Sequence, residues 1–194
     1  NWQAVFGGPA WHRINEADGK PGQWYLHLFA VEQPDLNWEN PEIRAHFEDV
    51  LRFWLDKGVD GFRIDVAHGM IKAPGLPDVL DESNATPEML AAQKMPFWDQ
   101  DGVHEIYRDW RKILDSYEGD RMAVAEAWVS PASRIALYLR PDELANSFNF
   151  DFLTSRWKIK DLKRNIDQSL KAIQDVGAPA SWVFNNHDVV RSVD

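Results

Sequence analysis

The sequence predicts an α/β fold built on a parallel sheet, and three observations predict it. Segments with helical spacing alternate with short apolar runs, the rhythm of a sheet whose crossovers lie on its faces. One such run, Gly61-Phe62-Arg63-Ile64-Asp65-Val66-Ala67-His68-Gly69, has the apolar, partly β-branched character of a buried strand yet carries Arg63 and Asp65. Acids then recur near the ends of successive strand units, with Asp65, Glu126 and Asp188 spaced sixty-one and sixty-two residues apart (65 to 126, 126 to 188). Charges in an otherwise apolar strand are paired, at the strand's end, or functional. The bland alternative is an Arg–Asp pair that closes a strand.

Residues 1–34 are rich in Gly and aromatics, and nothing in them looks like a helix–strand unit. Gly7-Gly8-Pro9 and Asp18-Gly19-Lys20-Pro21-Gly22 are turn signals, and Gln23 to Phe29 suits a strand, so the second turn is expected to join a hairpin. A helix starts after Asn40, a good N-cap, with Pro41 in its first position and Glu42 in its first turn. Ile43, Phe47, Val50, Leu51, Trp54 and Leu55 keep helical spacing up to Gly58, and the strand with Asp65 follows. Residues 70–102 form a polar loop with Pro74, Pro77, Pro87 and Pro96, a length at which loops tend to be functional or disordered. Its Asn84-Ala85-Thr86 matches a glycosylation sequon, a triplet common by chance.

Ile106, Trp110, Ile113 and Leu114 mark the next helix, and Arg121 to Val129 the second strand, with Glu126 near its end. A short helix is expected over Pro131 to Leu139 and a third strand over Ser147 to Leu153. Lys160 to Gln174 reads as a helix with Leu162, Ile166, Leu170 and Ile173 on one stripe. After the break at Gly177-Ala178-Pro179, Ser181 to Phe184 is expected to be a fourth strand running into Asn185-Asn186-His187-Asp188.

Composition narrows the chemistry. The chain has 194 residues, 44% of them hydrophobic, enough for one domain with a sizeable core. A net charge of −10 gives no support to binding a phosphate backbone. With no cysteine, disulfides, thiolate nucleophiles and cysteine zinc sites are excluded, and the absence is compatible with a cytoplasmic protein. Neither a membrane partner nor a nucleic acid is expected. Of ten tryptophans, most are expected in the core, with one or two facing a ligand. The chain opens on Asn1-Trp2 without a Met and stops at Asp194 just past a strand, so it is expected to be cut from a larger protein.

In a parallel barrel, strand ends converge on one rim. Three acids there suit carboxylate catalysis or a divalent ion, for which His68 and His187 are at hand. His104-Glu105 lacks the second histidine of a zinc helix. Cleaving a glycoside needs one ionised carboxylate at the anomeric carbon and one protonated carboxyl for the leaving oxygen. Arg63, two residues before Asp65 and so on the same side of the strand, would keep Asp65 ionised. Ala125, Ala127 and Trp128 around Glu126 would raise its pKa.

Gly61–Gly69, Ala123-Val124-Ala125-Glu126-Ala127-Trp128 and Phe184-Asn185-Asn186-His187-Asp188 resemble three conserved regions of the α-amylase family of glycoside hydrolases, and Gln33-Pro34-Asp35-Leu36-Asn37-Trp38 resembles a fourth. They follow the family's order over essentially the whole chain. Gln33 to Pro41 and Asn186 to Arg191 most resemble the α-glucosidase and oligo-1,6-glucosidase branch, with trehalose synthase nearby. The resemblance implies a partial (β/α)8 TIM barrel, about strands 4–7. Residues 1–40 would be the tail of a domain inserted after barrel strand 3, and residues 41–194 the central part of the catalytic barrel.

It implies Asp65 as the nucleophile, Glu126 as the general acid/base and Asp188 as the stabiliser of the transition state. Arg63, His187 and Arg191 would be substrate-binding. His68 and Gly69 stand where amylases often have Lys-His, which argues against endo action. Val66 resembles the residue of enzymes that accept α-1,6 bonds. The family's first conserved region is not in this chain, and four strands do not close a barrel, so the segment alone is expected to be inactive.

The expected activity is a retaining exo-acting α-glucosidase on short oligosaccharides of the maltose or isomaltose kind. A trehalose synthase-type transglycosylase or isomerase, and a non-catalytic sugar- or partner-binding barrel, stay open as alternatives. No cofactor or metal ligand is assigned, and calcium in the full-length protein stays open.

Overall fold

The computed structural model describes residues 1–80, 89 and 94–190; the Asn84-Ala85-Thr86 sequon and Arg191 lie outside the described residues. The first segment is a hairpin, β1 (Trp11–Asn15) against β2 (Pro21–Leu26), antiparallel with Trp11 opposite Leu26. Its turn closes through Gly19, whose φ of +81° suits glycine. The predicted strand to Phe29 stops three residues early. Beyond Leu26 the backbone bonds elsewhere, the His27 amide to Ala10 O and the Leu28 amide to the Asp35 carboxylate.

Helix α1 (Pro41–Asp56) begins as predicted, with the Asn40 side chain accepting from the Glu42 amide at 2.9 Å. It ends in paired bonds from Gly58 N–H to Leu55 O and Val59 N–H to Trp54 O, with Gly58 at φ +88°. The chain then enters the sheet. Strands β3 (Gly61–Ile64), β4 (Met122–Ala125) and β5 (Asn146–Ser147) are parallel in that order. Helix α2 (Val103–Asp115) makes the crossover from β3 to β4, and buries Ile106, Trp110, Ile113 and Leu114 as their spacing predicts. Gly61 is where β3 meets β4 most closely, since a Cβ there would lie 2.5 Å from Met122 O.

One apolar core lies between this sheet and α1 and α2, and includes Trp38, Leu55, Ile64, Trp110, Ala123 and Leu144. A second forms around Trp2, Leu26, Leu28 and Phe97. The two are tied by a largely covered ion pair, Lys72 Nζ to Asp35 Oδ1 at 2.7 Å. His104, expected to be no zinc ligand, is turned inward onto the fully buried Glu143, with Nδ1 2.7 Å from Oε2, while Arg108 and Arg140 hold the other oxygen.

The C-terminal part departs most from expectation. Helix α3 (Ala132–Tyr138) is where it was predicted. The third strand, expected over 147–153, is only Asn146–Ser147, because Asn149 accepts from the Phe152 amide and starts the short helix α4 (Phe150–Leu153). Ser181 to Phe184 is not a strand. The Ser147 amide is taken by Asn146 Oδ1, Ser181 Oγ donates to the same oxygen, and Trp182 and Phe184 pack edge-on against Phe152. Helix α5 (Ile159–Gln174) forms as predicted, but Leu170 is exposed. Ser169 faces inward instead, where its hydroxyl accepts from Asn149 Nδ2 at 2.9 Å. Among the described residues no helix is long and apolar enough to cross a membrane.

Gly61→Ala is expected to lower stability by about 1–3 kcal/mol, because the new methyl meets backbone rather than a movable side chain. A drop in the denaturation midpoint checks it. Asn40→Ala should cost about 1 kcal/mol in the same assay, through the lost cap.

Candidate active site

Sheet register builds the site. Ile64 pairs with Ala125 at the C-terminal end of β3 and β4, so Asp65 and Glu126 are the next residues on neighbouring strands, whose backbones run about 4.8 Å apart. The Glu126 amide still donates to Ile64 O, and the Ala67 amide to Glu126 O. Between them the chain turns sharply. Val66, which reads as an ordinary strand valine, has φ +45° and lies outside the strand. A β-branched residue in that region costs about 1–3 kcal/mol. The strain aims the Val66 N–H at Glu126 Oε2, 2.9 Å away.

The carboxylates sit in different surroundings. Asp65 is open to solvent, and Arg63 Nη1 lies 2.5 Å from its Oδ1. Glu126 is buried, 7% exposed. Arg63 Nη2 is 3.4 Å from Glu126 Oε2, so one guanidinium faces both acids. Burial raises the Glu126 pKa, and Asp65 raises it further by hydrogen bonding and by charge; the Val66 amide and Arg63 pull the other way without cancelling the rise. The rise has the expected direction, with burial as its largest cause. Trp128 contributes a polar contact as well, from its indole N–H to Glu126 Oε1 at 3.3 Å.

A cleft of about 690 Å³ opens over these groups and is lined by Arg63, Asp65, Glu126, His187 and Asp188 together. Asp188 is held by Asn186, whose Oδ1 accepts from the Asp188 amide at 3.0 Å. His187 Nε2 lies 3.5 Å from Asp188 Oδ1. Five of the six predicted site residues therefore share one cleft, and Arg191 lies outside the described residues. Among the described residues no group of three or more His, Asp and Glu side chains is arranged to hold a metal ion.

The cleft's walls are aromatic. Trp98 and Trp128 line it, with Phe6 and Phe29 from the N-terminal segment. Sequence reasoning did not single out Trp98 or Phe6, though each had a signal. Phe97-Trp98 is an aromatic pair inside a polar loop, and Phe6 sits at the tip of the Gly7-Gly8 turn. His68 is buried beneath Trp98, with ring centroids 4.8 Å apart, and its Nδ1 has no hydrogen-bond partner. Burial pushes its pKa down to about 4, so it is neutral near pH 7. The Trp98 loop is pinned from below: the Asp99 amide donates to His68 O, and the Asp99 carboxylate accepts from Arg134 Nε at 2.7 Å and from Tyr138 OH at 2.8 Å.

The family description that matches residues 1–194 is the α-amylase catalytic domain. The oligo-1,6-glucosidase of Parageobacillus thermoglucosidasius is 37% identical over all of this chain, which spans 35% of that protein. Maltase A2 of Drosophila melanogaster is 33% identical, again over all of this chain and 36% of its own length. Among solved structures, the trehalulose synthase MutB of Pseudomonas mesoacidophila superposes with a TM-score of 0.73 at 28% identity, covering 91% of this chain and 32% of that one. The chain thus spans about a third of the length of the relatives it matches. Residues 1–194 match the catalytic-domain description and relatives match across all of this chain, so the chain belongs to the α-amylase family, within its catalytic domain.

Proposed function

We propose that this chain is the central part of a retaining, exo-acting α-glucosidase that acts on short oligosaccharides of the maltose or isomaltose kind. One observation carries it: Asp65 and Glu126 follow paired residues on adjacent strands and share the Arg63 guanidinium, yet only Glu126 is buried, with its pKa raised. Retaining glycosidases place their carboxyl groups about 5–5.5 Å apart and inverting ones about 6.5–9.5 Å, so acids on adjacent strands that share one guanidinium support retention. In this reading the structure's strands β3 to β5 and the 181–184 segment correspond to about strands 4–7 of the (β/α)8 barrel. Residues 1–40 are the tail of the domain inserted after strand 3.

Asp65 attacks the anomeric carbon while Glu126 gives its proton to the departing glycosidic oxygen. The glycosidic bond breaks and a glucosyl–Asp65 ester forms. Glu126, now ionised, takes a proton from water, whose oxygen displaces Asp65 and returns both acids to their starting states. Asp188 binds hydroxyls of the distorted sugar, and Arg63, His187 and Arg191 contact the same ring. Arg63 also keeps the two carboxyl groups from repelling each other, since it faces both. The oligo-1,6-glucosidase and maltase relatives support this substrate class.

Transglycosylation or isomerisation is the second reading. The aromatic walls of the cleft favour it, because they can hold a leaving sugar against the glucosyl enzyme while water is kept out. Similarity to a trehalulose synthase supports it also. On maltose in the complete protein, hydrolysis yields only glucose, whereas isomerisation yields a second disaccharide with little free glucose.

In the complete protein, Asp65→Asn is expected to lower turnover of maltose by at least about a thousandfold, on the scale of lost covalent nucleophiles. Its circular dichroism should be unchanged, and retained activity would refute the nucleophile. Glu126→Gln should abolish general acid catalysis while holding or raising the Tm at pH 7. A carboxyl whose folded pKa is raised adds stability below its unfolded pKa and loses it as pH rises, so at neutral pH the neutral amide relieves a cost. The Tm advantage should close below about pH 4, where glutamate is protonated in both states.

A further inference from the structure

The two oxygens of Glu126 are held differently. Oε2 accepts the Val66 amide at 2.9 Å and faces Arg63 Nη2 at 3.4 Å, so a proton on Oε2 would point at two donors. Oε1 has a single donor among these contacts, the Trp128 indole N–H at 3.3 Å. That indole is braced. It lies flat on Phe150, with centroids 4.0 Å apart and planes 16° apart, and Phe150 is buried as the first residue of the Asn149-capped helix α4.

We infer that Trp128 is a positioning residue for Glu126: braced on Phe150, its N–H fixes Oε1 as the oxygen that carries the proton and steadies that oxygen once the proton has left. This rests on the reading of Glu126 as the general acid/base. When Oε1–H protonates the leaving oxygen, Oε1 becomes anionic and the indole contact becomes a charge-assisted bond, the stronger kind. In the second half-reaction the same oxygen takes its proton back from water. The charged and titratable groups that face Glu126 are Arg63 and Asp65 from the β3 end, with His68, His187 and Asp188 lining the same cleft. Trp128→Phe changes none of them. It deletes one donor and leaves an aromatic ring on Phe150.

The test is the pH dependence of kcat/KM for maltose in the complete protein. Trp128→Phe should move the alkaline limb upward by about half to one pH unit, because the ionised carboxylate loses a donor. It should also slow turnover of maltose by about three- to tenfold and that of an activated aryl α-glucoside much less, because departure of that leaving group needs no acid and the second step keeps its base. Phe150→Leu, which keeps the N–H and removes its brace, should move the limb the same way by less, and carries the test should Trp128→Phe not fold. Glu126→Gln is measured alongside. If it abolishes maltose turnover while both other variants leave the limb in place or raise KM alone, the positioning role is wrong and the acid/base reading stands. If Glu126→Gln keeps full activity, both fall.

Discussion

Parallel pairing of β3 with β4 in one register is the constraint on which everything else depends. With Ile64 opposite Ala125, the first unpaired residue of each strand is an acid. A slip of one residue on either strand would turn Asp65 or Glu126 toward the opposite face. The register also creates a cost, since two carboxylates at such spacing repel unless one keeps its proton. The chain meets that cost locally. Arg63, part of β3, spans both acids, and the left-handed turn at Val66 supplies a backbone donor at the oxygen Arg63 also faces. Backbone strain at Val66 is thereby exchanged for electrostatic order at Glu126.

Much of this is legible in the sequence. Helices α1 and α2 declare themselves because their apolar residues must face one core, and the Asn40 cap and Gly58 stop follow from backbone donors and acceptors at helix ends. The acids were legible because ionised side chains are rare in buried strands. What was not legible depends on partners distant in sequence. Ser181 to Phe184 has the composition of a strand, but a strand exists only if a neighbour offers its edge, and here Asn146 takes the Ser147 amide with its own side chain. Leu170 has the right spacing for the core, yet Ser169 wins the inward place because Asn149 donates to its hydroxyl. Val66 has a strand residue's side chain and a turn residue's backbone, and no local pattern distinguishes the two.

The N-terminal segment shows how a region with its own small core comes to shape the cleft over Asp65 and Glu126. Trp2 donates from its indole to Pro77 O, Asn1 bonds Val79, and Lys72 bridges to Asp35. Those ties draw the hairpin segment against the loop that follows β3, which places Phe6 and Phe29 on the wall of the cleft. A covered ion pair of this sort contributes little net stability beside two packed apolar side chains, but breaking one partner leaves a desolvated charge behind. Its value here lies in fixing a relative position.

The Asp99 strut has a reach that its location conceals. Arg134 and Tyr138 belong to α3, the helix after β4, yet the carboxylate they grip belongs to the loop after β3, directly beneath Trp98 and His68. One barrel unit therefore sets the height of its neighbour's ceiling. A change at Arg134 or Tyr138, neither of which lines the cleft, would release Asp99 and let the Trp98 indole shift, reshaping the cleft from outside it.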